Sequence, residues 1–340
     1  MPKISSLRFA LVGCGKIAHR HAEHIDAKAE LVAVCDTDQV KAKALATKYQ
    51  VAAHYSIEDL FTNAFFDIAV ICTPNGLHAE QSVYALQKGV HVICEKPMAI
   101  RTEDCEWMID AAQKNRKELF IVKQNRYNPP IVELKKAIDD GRLGRIFSVQ
   151  LNCFWHRDAD YYKEESWRGT KSLDGGVLYT QFSHFIDLML WLMNDKVTEV
   201  HSVMKNYSHA GITEFEDTGV VSLQFYKGAI GSIGFTTNAY RKNMEGSITI
   251  FGERGTVKVG GEYLNQLVYQ QIEDHTINDN NVSSPPNQYG SYTGSMSNHG
   301  LFYDNVIDVL ENKAAKTTDM YEAMKTVVLI EKIYKSANVQ

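Results

Sequence analysis

The 340-residue chain lacks the features of several broad protein classes. It has no apolar run near the roughly 20 residues that cross a bilayer, so we expect no membrane segment. Residues 1–6 lack the apolar stretch and small-residue cleavage site of a signal peptide, so we expect a cytoplasmic protein. The net charge of −5 shows no basic excess, which argues against a nucleic-acid partner.

The chain also lacks the cysteine spacing of a metal or disulfide site. Its 6 cysteines form no Cys-x-x-Cys pair, and most adjoin apolar strand-like runs, so we predict reduced, buried thiols. His19, His21 and His24 are close in sequence but do not all share one helix face. We therefore predict no metal site.

The length predicts about two domains of roughly 150 residues each. In residues 1–123, short apolar strands alternate with helices, a pattern typical of a parallel, doubly wound sheet covered on both faces. In residues 124–340 the strands are longer and several alternate in polarity, as in a sheet with one solvated face. We predict one strong helix over residues 176–193 and a long loop over 274–298. The fold class is therefore α/β with two domains.

A glycine-rich turn between the first strand and the first helix predicts a dinucleotide site. Gly13 allows the tight turn, Gly15 lets the backbone approach a pyrophosphate, and Ala18 permits close packing of the helix on the sheet. Lys16 and Ile17 lie at the helix N-terminus, where unpaired N–H groups favour phosphate. The alternative is a glycine turn in an unrelated α/β fold.

Asp36 ends the second predicted strand, about twenty residues beyond the glycines. Its carboxylate can accept both hydroxyls of an adenosine ribose, and it would repel a 2′-phosphate. The sequence therefore favours NAD over NADP as cofactor. The alternative is that Asp36 caps the next helix.

The turn Thr73-Pro74-Asn75 follows the fourth strand, and His78 begins the next helix. The carboxyl ends of parallel strands form the binding crevice, so we expect these residues near the nicotinamide ribose and the phosphates. The alternative is an ordinary Pro-Asn turn before a capped helix.

Two side chains suit proton chemistry. Lys96, between Glu95 and Pro97 after an apolar strand, could hydrogen-bond a reacting hydroxyl and favour its deprotonation. His184 suits a general base, and Thr180, four residues earlier, is expected on the same helix face. The alternatives are a solvated surface lysine and a core histidine.

Taken in order, these motifs, Trp167-Arg168-Gly169 and the Gly-Gly helix with His184 resemble the Gfo/Idh/MocA oxidoreductase family over essentially the whole chain. The resemblance implies an N-terminal Rossmann domain and a C-terminal α/β domain with an open mixed, largely antiparallel sheet, often used for oligomerisation. It implies that Lys96 and His184 face the hydride-transfer site, that Trp167 and Arg168 approach the cofactor, and that the Lys96–Pro97 bond is cis. We also assign Glu95 and Gln124 to the cofactor site.

Many members have an aspartate where Thr180 stands, and dehydrogenases of polyols and free sugars commonly keep it. Residues 124–130 and 176–184 instead resemble the WlbA/WbpB group of the family. That resemblance implies oxidation of the 3″-hydroxyl of UDP-N-acetylglucosaminuronic acid (UDP-GlcNAcA) to a 3-keto sugar for surface polysaccharide of the O-antigen type. It also implies reoxidation of bound cofactor by 2-oxoglutarate. The edges of the predicted C-terminal sheet need covering, so we expect a homodimer or homotetramer.

A UDP-sugar acid needs cations and aromatic surface. We expect substrate contacts from the following residues, each of which could instead be an ordinary surface side chain: Lys96, Arg126, Tyr127, Arg157, Tyr161, Lys171, Thr180, Gln181, His184 and His299. Two other functions stay open. One is an NAD-dependent dehydrogenase of a free sugar, inositol or amino-sugar, and the other is a non-catalytic NAD-binding sensor.

Overall fold

A computed structural model describes residues 4–278, 285–288 and 293–337. The chain forms two compact units, one of residues 1–123 and 299–324 and one of residues 124–298 and 325–340. The sequence-based division also breaks after residue 123 but leaves 299–324 in the second domain. These residues return to the first unit because helix α10, His299–Leu310, buries Phe302, Tyr303 and Val306.

The first unit contains a six-stranded, entirely parallel sheet in the order β3-β2-β1-β4-β5-β6. Its strands are β1 Arg8–Val12, β2 Glu30–Cys35, β3 Ala52–His54, β4 Ile68–Ile71, β5 His91–Cys94 and β6 Leu119–Ile121. Its helices are α1 Ala18–Lys28, α2 Gln39–Tyr49, α3 Ile57–Asn63, α4 His78–Gln87 and α5 Thr102–Asn115. Strands β4 and β6 are completely buried, as the all-apolar runs predict.

The strand order of this sheet reverses beside β1, which lies between β2 and β4. In such sheets the ligand crevice forms where the loops after the two central strands diverge. The loop after β1 carries Gly13 and Gly15, and the loop after β4 carries Thr73. The predicted Rossmann topology is confirmed.

The second unit contains a seven-stranded mixed sheet in the order β13-β12-β11-β7-β10-β9-β8, in which only the β7–β10 pair is parallel. Its strands are β7 Ile146–Phe154, β8 Val197–Lys205, β9 Thr218–Phe225, β10 Ile230–Thr236, β11 Glu245–Gly252, β12 Gly255–Gly260 and β13 Gln266–Ile272. Along β9, buried and exposed side chains alternate, so one face is solvated. The predicted fold class is confirmed.

Helices of the second unit are α6 Pro129–Asp139, α7 Ala159–Lys163, α8 Val177–Thr180 and α9 Ser183–Met193, while α11 Met320–Ala337 closes the chain. The prediction of one helix over 176–193 is wrong. The helix breaks before α9, because Phe182 adopts φ −110° and ψ 2° and packs its ring 5.5 Å from that of Trp155. Thr180 and His184 therefore lie on different helices, and the argument from a shared face fails.

The predicted loop over 274–298 is also partly wrong. Strands β14 Pro286–Gln288 and β15 Thr293–Met296 pair there as an antiparallel ribbon. Residues 279–284 and 289–292 of that prediction lie outside the described residues. Among the residues that are described, none of the helices is both long and apolar enough to span a bilayer.

Candidate functional site

Gly13 and Gly15, the two glycines after β1, are glycine for different physical reasons. Gly13 has φ +92°, and a Cβ there would lie 2.7 Å from the carbonyl carbon and oxygen of Cys72. The fold itself therefore requires glycine at position 13. A Cβ on Gly15 would meet no protein atom within 4 Å. Packing does not require glycine at position 15, but close approach of a ligand to the backbone would.

Helix α1 begins directly after these glycines. Its N-cap, Ile17, makes no side-chain capping bond, and its first turn carries no acidic residue. The first N–H groups of a helix attract anions unless a side chain caps them. Lys16, which is half-buried, adds positive charge beside this end. These features fit the pyrophosphate of NAD.

Asp36 follows β2 and is half-buried. It accepts hydrogen bonds from the N–H groups of Cys14 at 2.7 Å and Asp38 at 2.8 Å. The alternative role for Asp36 as a helix cap is wrong, because Asp38 caps α2 by accepting from the N–H groups of Val40 and Lys41. Asp36 thus joins the glycine turn to the end of β2.

Hydrogen bonds to neighbouring parts of the chain hold the segment after β4 in place. Thr73 donates its hydroxyl hydrogen to Gln81 at 2.6 Å, and Asn75 begins a 3₁₀ turn that ends at Leu77. The ring nitrogens of His78 lie 2.7 Å from the Pro97 carbonyl and 2.9 Å from the Thr73 carbonyl. These two contacts link the loop after β4 to the loop after β5. Because His78 is buried, its ring offers almost no surface to a cofactor. Pro74 is half-buried beside this turn.

Lys96 follows β5, and its peptide bond to Pro97 is cis, as the family resemblance implies. The Lys96 side chain is half-buried. The neighbouring Glu95 is buried, and its carboxylate accepts the Lys96 N–H at 3.0 Å and lies 2.8 Å from His21 Nε2. Burial opposes ionisation of Glu95, but the hydrogen bond from His21 and the nearby ring of His299 hold its pKa well below the usual range. Both oxygens of Glu95 are thus engaged within the first unit, so its carboxylate does not take the role in cofactor binding that the sequence predicts for it.

In the second unit, His184 is the second residue of α9 and is buried. Its Nε2 lies 3.1 Å from the amide nitrogen of Gln124, which also donates to the Ser295 hydroxyl at 3.1 Å. Gln124 begins the 3₁₀ turn Gln124–Tyr127. The amide of Gln124 thus holds the imidazole that the sequence identifies as a base.

Arg126 has a different role from the one expected. Its guanidinium donates to both carboxylate oxygens of Asp187, at 2.8 and 2.9 Å, and both side chains are buried. Such a bidentate pair commits the charge to the protein. The expectation that Arg126 offers a cation to substrate is wrong for this structure, because pairing with Asp187 satisfies the buried guanidinium.

A cleft of about 510 Å³ in the second unit has a mixed charged and aromatic lining. It is lined by His156, Arg157, Asp158, Asp160, Tyr161, Lys163 and Glu164. The guanidinium carbons of Arg168 and Arg157 lie 4.1 and 5.1 Å from the centroid of the Tyr161 ring. Gln181 donates to the Tyr161 hydroxyl at 3.0 Å. Three of the predicted residues are thus brought together around a fourth, Tyr161.

A buried carboxylate that sequence reasoning missed contacts Thr180. Asp174 accepts from the Thr180 hydroxyl and from the Gly169 N–H, the latter at 2.8 Å. Asp174 is completely buried. The signal in the sequence was its position directly before Gly175-Gly176, where the chain turns back toward α8. Asp174, six residues upstream, thus places its carboxylate against the hydroxyl of Thr180.

The other predicted residues are less engaged or are placed elsewhere. Tyr127 and Trp167 are half-buried, and Lys171 is exposed. His299 belongs to the first unit and is completely buried, 3.6 Å from Glu95. The expectation that His299 reaches a sugar is wrong here, because its ring offers no surface to a ligand. One ligand atom each from His21, Glu95 and His299 lie within 4.8 Å of one another.

Comparison with known proteins identifies the same two parts of the chain. Residues 7–123 match the oxidoreductase family with an NAD-binding Rossmann fold, and residues 131–258 match the GFO/IDH/MocA C-terminal domain. The WlbA dehydrogenase of Chromobacterium violaceum, solved with NADH and UDP-GlcNAcA, is 39% identical, with a TM-score of 0.90 over 100% of this chain and 96% of that one.

The WlbA dehydrogenase of Bordetella pertussis, solved with the same two ligands, is 37% identical, with a TM-score of 0.88 over 98% of this chain and 97% of that one. The D-glucoside 3-dehydrogenase of Escherichia coli is 36% identical over 66% of this chain and 69% of its own length. The matches and the glycine turn agree on NAD as the cofactor. The chain belongs to the Gfo/Idh/MocA family of oxidoreductases.

Proposed function

We propose that this protein oxidises the 3″-hydroxyl of UDP-GlcNAcA to the 3-keto sugar, with NAD⁺ as the oxidant. The observation that carries the proposal is the full-length similarity to two dehydrogenases solved with NADH and this nucleotide sugar. Thr180 stands where polyol dehydrogenases commonly have an aspartate, and its own side chain is uncharged although it donates to Asp174, which supports the same substrate class.

In the proposed reaction, His184 accepts the proton of the 3″-hydroxyl, while Lys96 donates a hydrogen bond to the same oxygen as negative charge develops on it. When bound, NAD⁺ accepts the hydride released from the sugar carbon. Gln124 orients the imidazole through its bond to Nε2. A positioned general base contributes about 10²–10⁴ in rate.

The cleft around Tyr161 is the proposed site for the anionic part of the substrate. Arg157 and Lys163 line it, and the Tyr161 ring provides flat apolar surface. Guanidinium groups bind phosphate and carboxylate through fixed, paired N–H donors. Two of the three acidic side chains in the same lining are paired with cations, Asp160 with Lys163 at 3.6 Å and Glu164 with Arg168 at 2.9 Å. We assign Arg157, Tyr161 and Gln181 to substrate binding.

Single-turnover measurements test the proposal. Protein loaded with NAD⁺ is mixed with UDP-GlcNAcA, UDP-GlcNAc or the free sugar acid, and NADH fluorescence is followed with and without 2-oxoglutarate. We expect NAD⁺ to be reduced by UDP-GlcNAcA and not by UDP-GlcNAc or the free sugar acid. His184→Asn and Lys96→Ala should slow it about 10²–10⁴-fold while NAD⁺ still binds. Near-normal rates in both variants would contradict the assigned roles.

The similarity to D-glucoside 3-dehydrogenase favours a second candidate, oxidation of a free glucoside or related sugar at the same carbon position. Reduction of NAD⁺ by free sugars, with UDP-sugars inert, would support it. Binding of NAD⁺ without turnover of any sugar would instead indicate a sensor.

We further propose a cytoplasmic homo-oligomer acting in surface polysaccharide synthesis. Each of the 6 cysteines is buried without a disulfide, as suits a reducing compartment. The solvated face of the seven-stranded sheet exposes Val203, Val220 and Ile230, which a second copy could cover. Light scattering of the purified protein measures the number of copies.

A further inference from the structure

Four buried side chains meet behind the loop that carries Lys96, all within the first unit. His21 lies on α1, Glu95 follows β5, and His299 and Tyr303 lie one turn apart on α10. His21 Nδ1 lies 2.8 Å from the Tyr303 hydroxyl, and His21 Nε2 lies 2.8 Å from Glu95 Oε1. The set connects three separate elements of the Rossmann unit.

The spacing of the cluster fits a shared proton and does not fit a bound metal. Zinc bonds of about 2.0–2.1 Å in tetrahedral geometry place ligand atoms about 3.3 Å apart. His21 Nε2 and Glu95 Oε1 are closer than that, at a hydrogen-bond distance of 2.8 Å. The His21 N–H therefore donates directly to the carboxylate, and the Tyr303 hydroxyl fixes the other side of the ring.

The second oxygen of Glu95 acts on the backbone of its neighbour. Oε2 accepts the N–H of Lys96 at 3.0 Å. One oxygen of the Glu95 carboxylate thus binds His21 of α1, the helix that follows the glycine turn. The other oxygen binds the backbone N–H of Lys96. His299 closes the cluster, with its ring edge-to-face 5.3 Å from that of His21. Burial lowers the pKa of His299, so its neutral ring shields Glu95 from water without competing for the proton.

We propose that His21, Glu95 and Tyr303 form a positioning network that fixes the Lys96 backbone, and hence the direction of its ammonium group. The consequence for catalysis rests on the proposed function of Lys96. None of the three side chains needs to touch the substrate. A misplacement of about 1 Å at a reacting group can cost about 10²-fold in rate, so a buried network of this kind can matter as much as a direct contact.

Hydrogen exchange at the Lys96 amide tests the network without substrate. We expect Glu95→Ala to accelerate exchange at this amide at least 10-fold, because its acceptor is removed. Glu95→Gln should restore most of the protection, since its amide oxygen still accepts from Lys96. Tyr303→Phe should give an intermediate effect. His54→Gln is the control: it alters another buried histidine of the same unit that is paired with a carboxylate, the partly exposed Asp59 (Nδ1 to Oδ2, 2.8 Å).

Kinetics of the same variants test the consequence for the reaction. We expect Glu95→Ala to lower the single-turnover rate about 100-fold while the Kd for NAD⁺ changes less than about 3-fold, and Glu95→Gln to recover most of the rate. Thermal unfolding curves confirm that each variant is folded. If Glu95→Ala does not fold, the comparison of Tyr303→Phe with His54→Gln decides.

Three results would overturn the network: unchanged Lys96 exchange in Glu95→Ala and Tyr303→Phe, loss of NAD⁺ binding in parallel with rate, or one zinc ion per chain that Glu95→Gln releases. If Glu95→Ala speeds up exchange at the Lys96 amide but the wild-type protein oxidises no sugar, the network stands and the proposed function is refuted.

Discussion

The contrast between Gly13→Ala and Gly15→Ala separates what the fold requires from what the cofactor requires. At Gly13, φ is +92° and the added methyl would lie 2.7 Å from the Cys72 carbonyl. Left-handed geometry costs an alanine about 1–2 kcal/mol, and forced overpacking costs about 1–3 kcal/mol more. We therefore expect Gly13→Ala to lower the free energy of unfolding by about 3 kcal/mol without any ligand. That corresponds to a melting temperature lower by roughly 6–12 °C for a unit of this size.

At Gly15 the added methyl meets no protein atom within 4 Å. We expect Gly15→Ala to melt within about 2 °C of the wild type, because nothing in the fold is displaced and the unfolded chain loses some freedom. If a pyrophosphate lies against this backbone, the same methyl should weaken NAD⁺ binding by about 1–3 kcal/mol, roughly 5- to 150-fold in Kd.

Differential scanning fluorimetry and calorimetric titration with NAD⁺ measure both quantities on both variants. Unchanged NAD⁺ affinity in a stable Gly15→Ala protein would refute the argument that the open space at Gly15 is filled by the cofactor. A Gly13→Ala protein as stable as the wild type would refute the steric argument at Gly13.

Three other predictions follow from buried polar groups. Arg126→Ala should lower the free energy of unfolding by about 3–5 kcal/mol by leaving Asp187 unpaired, measured by urea denaturation, and should change substrate affinity little in any protein that remains folded. Burial lowers the pKa of His24 to about 4, so the free energy of unfolding should fall as the pH drops from about 6.5 toward 4, and His24→Gln should flatten that fall. Asp174→Asn keeps one carbonyl oxygen where the carboxylate uses both, Oδ1 for Thr180 and Oδ2 for Gly169, so one donor loses its acceptor and chemical denaturation should show a loss of about 1–3 kcal/mol in the free energy of unfolding.

The sequence predicts the Rossmann unit well because its signals are local. Alternation of buried apolar strands with helices predicts the sheet, and the structure has six parallel strands separated by helices, with β4 and β6 completely buried. Gly13 and Gly15 are recognisable because backbone geometry and ligand approach restrict the residue type. These requirements act within a few residues, where sequence patterns are informative.

The errors arise where distant residues decide. Periodicity cannot reveal that Phe182 turns toward Trp155 and ends a helix. The sequence suggests that the charge of Arg126 is available to substrate, because its partner Asp187 is 61 residues away and only the structure shows the pairing. The sequence does not reveal that His299 is buried, because its burial depends on contacts with α1, which is far away in the sequence. Partners of buried polar groups are tertiary information.

In the proposed reaction, hydride leaves C3 of the sugar and reaches NAD⁺ on this protein. UDP-GlcNAcA carrying deuterium at C3 is the sharpest probe of this transfer, with mass spectrometry of the reduced cofactor after one turnover. We expect one deuterium in the reduced nicotinamide, and none when the label is at C2 or C4. Unlabelled reduced cofactor from the C3-labelled sugar, or no reduction at all, would contradict it.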